Sequence, residues 1–269
     1  MIHSTAIVSE KALIGKNAHI GPYCVIDDDV RIGDNCHLEG NVAVHNGSVL
    51  GDNFHAENFV SVGGSPQDLN FDRSLKTGVV VGNNCTFHEG VTVHRATQVG
   101  APTRMGDNCM LMANSHVAHD CVVGSHVIFA NGALIGGHVH IDDYVFISGN
   151  SVVHQGCHLG EGVMLSGNSC TSMDIPPYCN AASRNTLHGL NLIGMRRRKF
   201  DTGTIRQIKN YYFKVFGVVG SPAKYAQTEL DKNEELSEPA RKFLQFFVEK
   251  RHGILRPTHQ SHRTDESPA

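Results

Sequence analysis

Aliphatic residues recur at every sixth position from Ile2 through Val8, Ile14, Ile20, Ile26, Ile32, Leu38, Val44, Leu50 and Ala56 to Val62. The phase slips by one across 65–78. The column resumes at Val81 and continues through Phe87, Val93, Val99, Met105, Leu111 and Val117 to Leu165. A second column of smaller residues lies two positions earlier: Ala6, Ala12, Ala18, Cys24, Val30, Cys36, and later Cys109, Ser115, Cys121, Val127 and Ala133. A period of six is neither the two of a strand nor the 3.6 of a helix. It fits one flat face of a triangular parallel β-helix, with three hexads to a coil of about eighteen residues. Roughly nine coils follow, ~4.8 Å apart as in any sheet.

Two interruptions stand out. The segment 65–78 breaks the phase and is expected to be an inserted loop. The segment 95–104 keeps the phase but carries Gly100-Ala-Pro102, and is expected to replace one face with a loop. Loops held on a rigid scaffold are where binding residues concentrate. Pro176-Pro177 ends the coils, and 180–192 shows no pattern. From Thr202 the spacing of Ile205, Ile208, Tyr212, Val215 and Phe216 predicts a helix, stopped at 217–220. Ser221-Pro222 opens a second helix, and 239–251 is a third, with Phe243, Phe246 and Phe247 on one face. The chain thus divides into a β-helix over 1–190, a helical domain over 191–255 and a polar, disordered tail over 256–269.

Composition narrows the function. Trp is absent and Gly numbers 28, which suits an interior of small and β-branched residues. A net charge of −3 argues against a nucleic-acid binder. No apolar run reaches the ~18 residues of a membrane span, so a cytoplasmic protein without stable membrane insertion is expected. Six of the eight cysteines (Cys24, Cys36, Cys85, Cys109, Cys121, Cys157) share the inward column. They read as packing residues in a reducing compartment. Of 18 histidines, 14 fall within the repeat and none in an inward column, so all of these should face outward.

Residues eighteen apart stack on adjacent coils. His119 stacks on Gly137 and Gln155, and Asp120 on His138 and Gly156. His116 precedes His119 by three, and His154 adjoins Gln155. Acyl transfer to a hydroxyl needs a general base and donors for a developing oxyanion. His119, a carboxylate to fix its tautomer (Asp120) and the exposed amide of Gly137 could fill these roles. The six inward cysteines are not placed to act as nucleophiles.

The runs Asn114–Asp120, Gly136-Gly-His138 and His154-Gln155 resemble the bacterial UDP-N-acetylglucosamine O-acyltransferase family. So do Gln67-Asp68-Leu69, Thr92-Val-His-Arg95, Asp174-Ile-Pro-Pro-Tyr178, and Gly189-Leu-Asn191 followed by Arg196-Arg-Arg198. The resemblance implies a mainly β fold, a left-handed parallel β-helix with a C-terminal α-helical domain. It implies a homotrimer with sites between subunits. The acyl donor is the phosphopantetheine thioester of acyl carrier protein, the acceptor is a UDP-sugar, and neither metal nor other cofactor is needed. His119 is then the base, Asp120 its neighbour and Gly137 the oxyanion donor. His116, His138, His154 and Gln155 line the sugar and pantetheine groove, Gln67 and Asp68 touch the acceptor, and Asn191 and Arg197 touch the nucleotide or phosphate. Met164 is a further substrate contact, and Gly167 falls where the family limits acyl length. Three departures occur: Asn70 for a usual Lys, Ile193 for a usual Glu, and Gly156 for a usual bulky residue. They raise the alternative of a paralogue acting on an amino sugar or binding without catalysis. Two other readings compete: the N-acyltransferase of the same fold, and a zinc enzyme using His116, His119 and His138.

Overall fold

The structure, a computed structural model, describes residues 1–232, 235–249 and 253–257. Each hexad contributes one short strand, and successive strands turn through three flat sheets. The first sheet has nine strands, from Ile7–Val8 to Cys170–Thr171. The second has eight, from Leu13–Ile14 to His158–Leu159. The third has ten, starting at His19–Ile20. Strand partners are eighteen residues apart, as in Val117 with Ile135 and Ile128 with Phe146, and all pairings along the coils are parallel. This is the left-handed parallel β-helix expected, with a helical C-terminus.

The core is the inward column. Ile20, Leu38, Phe87, Leu111, Ile135 and Leu159 are buried. The coil ends are less well covered, and Ile2 is half exposed. The small column fits because it lies just before each strand, where the chain bends inward. Its cysteines are all free, and five of the thiols donate to carbonyls of the next coil, among them Cys36 to Gly51 at 3.2 Å and Cys121 to Gly136 at 3.1 Å. The histidines of the repeat are exposed or half-buried, none fully buried. The corner between the second and third faces is tied by a column of side-chain acceptors. Lys16 N–H donates to Asp34, Asp34 N–H to Asp52, and Ser125 N–H to Asp143, each at 2.7 Å.

Several expectations need correction. The 95–104 segment does not replace a face. Strand Thr92–His94 in the first sheet is followed by Thr103–Met105 in the second, and Val79 pairs with Thr103, twenty-four residues on. One extra hexad is added at the corner and no strand is lost. Val99, placed in the inward column by its spacing, therefore leaves the coil and is 65% exposed. The 65–78 loop opens from the same corner of the preceding coil, between Ser61–Gly64 and Val79–Val81. The 180–192 stretch is not irregular. Cys179–Ala182 and Thr186–Leu190 form an antiparallel hairpin that continues the third sheet. Its short turn breaks the six-residue period, which hides it from a search for hexads.

Among the described residues four helices follow: α1 (Leu192–Arg197), α2 (Thr202–Gly217), α3 (Pro222–Lys232) and α4 (Glu238–Val248). Asp201 caps α2 through Thr204 N–H at 2.9 Å, and Ser237 caps α4 through Ala240 N–H. Ile208, Val215, Phe243 and Phe247 make the shared core. Glu161 fastens the helices to the coils: its carboxylate pairs with Arg198 after α1 and with Lys242 of α4. The segment placed in the tail begins in contact with the body. Leu255 is buried, and Pro257, assigned to the tail, bridges Leu187. Residues 258–269 lie outside the described residues.

Candidate active site

The corner between the first and second faces carries His119-Asp120 on one coil, Gly137-His138 on the next and Gln155-Gly156 on the one after. His138 N–H donates to His119 carbonyl and Gly156 N–H to Gly137 carbonyl, both at 3.0 Å, which fixes the stack. His119 Nδ1 lies 2.7 Å from Asp120 Oδ2, and the two side chains are only 13% and 11% exposed. Asp120 has φ +59, a left-handed corner conformation uncommon for Asp, and its N–H donates to Thr103 Oγ1 at 2.9 Å.

The carboxylate of Asp120 is further held by Thr97. Its N–H and hydroxyl donate at 2.9 and 2.7 Å. Burial alone would raise the Asp120 carboxyl. The hydrogen bonds from His119 and Thr97 outweigh it and hold the pKa below the ordinary carboxylate range. Asp120 is thus a charged acceptor that fixes Nδ1 of His119 as the protonated nitrogen. Nε2 has no hydrogen-bond partner among the described residues. Thr97 and Thr103 are site residues that sequence reasoning missed. Their only signal is the register of the 95–104 segment, which becomes informative once the extra hexad is placed.

Gly137 is buried beneath the His119 ring. An ideal Cβ on it would lie 2.6 Å from Cε1 and 2.8 Å from Nε2 of His119. Its N–H donates to no protein group among the described residues. The absence of a side chain at 137 therefore leaves room for the imidazole and keeps the backbone N–H unblocked by a Cβ.

His138 is half exposed. Its Nε2 is 3.7 Å from Asp120 Oδ2, and its ring meets His119 edge-on at 5.2 Å. His116 lies on the first face, its Nδ1 2.7 Å from Thr92 Oγ1. It meets the ring of His94 edge-on at 4.6 Å. Burial, then the nearby His116 and His119, push His94 down to about 4, and burial lowers His116 as well. The ligand atoms that converge are those of His119, Asp120 and His138; His116 is not among them. His154 and Gln155 are exposed on the next coils of the same corner.

The remaining candidates are spread more widely, although the first loop leaves this same corner two coils before His119. Gln67, Asp68 and Asn70 are exposed in the first loop, where Asp68 accepts from Asn70 N–H at 2.9 Å. Met164 lies on the third face and Gly167 at the corner between third and first. Asn191 and Arg197 belong to α1. Both ends of the Asn191 amide are engaged, Oδ1 accepting from Gly194 N–H at 2.9 Å and Nδ2 donating to Gly162 carbonyl at 3.0 Å. Arg197 and Ile193 are exposed. Gly156 has φ +75 with nothing within 4 Å of a Cβ, so glycine there suits the backbone and clears the space beside Gln155.

Residues 174–255 match the family described as UDP N-acetylglucosamine O-acyltransferase, domain 2. Residues 11–46 and 102–137 match the bacterial transferase hexapeptide family. The chain is 43% identical to an acyl-[acyl-carrier-protein]–UDP-N-acetylglucosamine O-acyltransferase of Aliarcobacter butzleri, covering 89% of this chain and 93% of the relative. It is 35% identical to the Campylobacter concisus protein of the same name, covering 94% and 96%. The UDP-N-acetylglucosamine acyltransferase structure from Francisella novicida superposes with a TM-score of 0.90 at 32% identity, covering 96% of this chain and 95% of that one.

Proposed function

The chain belongs to the acyl-[acyl-carrier-protein]–UDP-N-acetylglucosamine O-acyltransferase family, and from that premise we propose that the His119 corner moves a 3-hydroxyacyl chain from acyl carrier protein to the sugar 3-hydroxyl, the step that opens lipid A biosynthesis. The contact of His119 with Asp120, its ring laid on Gly137, carries this reading. Asp120 accepts a hydrogen bond from Nδ1–H of His119, leaving Nε2 as the base. Nε2 takes the acceptor hydroxyl proton while that oxygen attacks the thioester carbon. The tetrahedral oxyanion accepts from Gly137 N–H. As it collapses the C–S bond breaks, and the imidazolium returns its proton to the departing thiolate. Asp120 stabilises the imidazolium between these steps. The sequence of proton transfers closes with protein groups alone.

The active assembly is a homotrimer in the cytoplasm. Supporting the trimer, the candidate substrate contacts fall on different corners of one prism, and Met110, Val122, Leu134 and Val152 expose apolar surface on its flat faces. Supporting the compartment, all eight cysteines are free. No helix among the described residues is long and apolar enough to cross a membrane. Similarity over nearly the whole chain favours O-acyl transfer over the amino-sugar or binding-only alternative. The test is transfer from 3-hydroxyacyl carrier proteins of several lengths to UDP-N-acetylglucosamine. Transfer by the unmodified enzyme that is lost in His119→Ala supports the reading. Equal transfer by both proteins refutes the assigned base, and no transfer by either refutes the reaction.

A further inference from the structure

A second imidazole–carboxylate cluster lies away from the His119 corner, on the second face. His140 and His158 occupy equivalent outward positions on adjacent coils, paired through their strands. Their rings lie 4.4 Å apart. Both turn Nε2 to the same oxygen of Asp142, at 3.1 and 2.8 Å. One ligand atom from each of the three lies within 4.8 Å of the other two. They border a cleft of about 440 Å³ between the second face and α4, which Gln245 and Phe246 also line. Phe246 packs edge-on against His158 at 5.1 Å.

Acyl transfer uses none of these groups. A column needs no second imidazole beside the first to keep its register, since the backbone ladder supplies that. Each nitrogen lies a hydrogen-bond length from the shared carboxylate oxygen, the spacing of an edge of a coordination sphere whose radius is ~2.0–2.2 Å for nitrogen and oxygen ligands. An ion would take the place of the contacts now made directly between imidazole and carboxylate. The cleft leaves its remaining positions open to water or to an oxygen from α4.

We propose that His140, Asp142 and His158 form a binding site for a divalent transition-metal ion at the joint between the β-helix and the C-terminal helices. Two imidazoles and one carboxylate select zinc, nickel or cobalt over magnesium or calcium, which prefer all-oxygen sites. The ion steadies the seat of α4 and takes no part in acyl transfer.

The test uses the full chain after chelator treatment, titrated with Zn²⁺ by calorimetry and with Co²⁺ by visible absorption. One ion per chain is expected in the unmodified protein. His140→Ala and His158→Ala should each weaken binding by at least ~10-fold, while His138→Ala, at the other convergent cluster, should leave it unchanged. Melting curves in zinc add a readout: the ion should raise Tm in the unmodified protein and not in His140→Ala. His140 is exposed, so that variant should keep its fold, checked by circular dichroism. Absence of stoichiometric binding in the unmodified protein overturns the proposal. So does binding that survives both alanine variants, or that is lost only in His138→Ala.

Discussion

At the scale of single residues, the site depends on one missing side chain. Gly137→Ala would drive a Cβ into the His119 ring, 2.6 Å from Cε1. The ring must then shift from its place against residue 137. A fall in kcat of ~10²–10³ is expected, with the melting temperature little changed, measured by steady-state transfer and thermal melts. Thr97→Ala removes the hydroxyl hydrogen bond to the Asp120 carboxylate and leaves the backbone one in place. Hydrogen bonds to charged groups are worth ~1.5–3 kcal/mol, so kcat should fall roughly tenfold or more while KM holds, and Thr97→Ser should recover most of it. Stability carries its own pH signature. His94 is held down to about 4, below the ~6.5 of an unfolded histidine. The folded chain therefore binds fewer protons than the unfolded one between those values. Stability from this group is complete above ~6.5 and is lost as pH falls toward 4. Melting temperature against pH should flatten in that window in His94→Asn.

At the scale of elements, hydrophobic period and register carried most of the architecture. The six-residue column dictated strands, faces and which residues stack, so His119, Gly137 and Gln155 could be aligned before any coordinates. Registers are specified strongly here because a slip would expose an entire column. What escaped was what that period does not encode. The hairpin of Cys179–Ala182 and Thr186–Leu190 is antiparallel. Val99 matches the column by number alone, because the extra hexad preserves the phase while leaving the coil. Thr97 reaches Asp120 across a loop, a contact between segments 23 residues apart with no periodic trace. Asn191, a substrate contact by resemblance, has its side chain occupied as a helix cap. The helical elements were found with approximate limits, since α4 starts at Glu238 and ends at Val248. Their attachment rests on Glu161, whose side chain is 10% exposed between Arg198 and Lys242. Glu161→Ala leaves a half-buried guanidinium without its partner. A loss of ~3–5 kcal/mol is expected in chemical denaturation, with near-ultraviolet dichroism from the Phe-rich helical core disturbed first.

At the scale of the whole molecule, the prism is a straight stack whose layers repeat one set of hydrogen bonds. Candidate contacts on separate corners predict that the catalytic unit is an assembly. Light scattering of the purified enzyme should give three times the chain mass of 29.2 kDa, and a monomeric variant should retain its fold while losing turnover. Both long loops leave from the same corner, on consecutive coils, and the stack resumes its pairing 31 and 24 residues later without losing a strand. That corner tolerates added chain while the others keep the eighteen-residue spacing. It works as an insertion port. A foreign peptide grafted at the tip of the first loop would be displayed at a fixed height on a rigid column, with the layers above and below left in step.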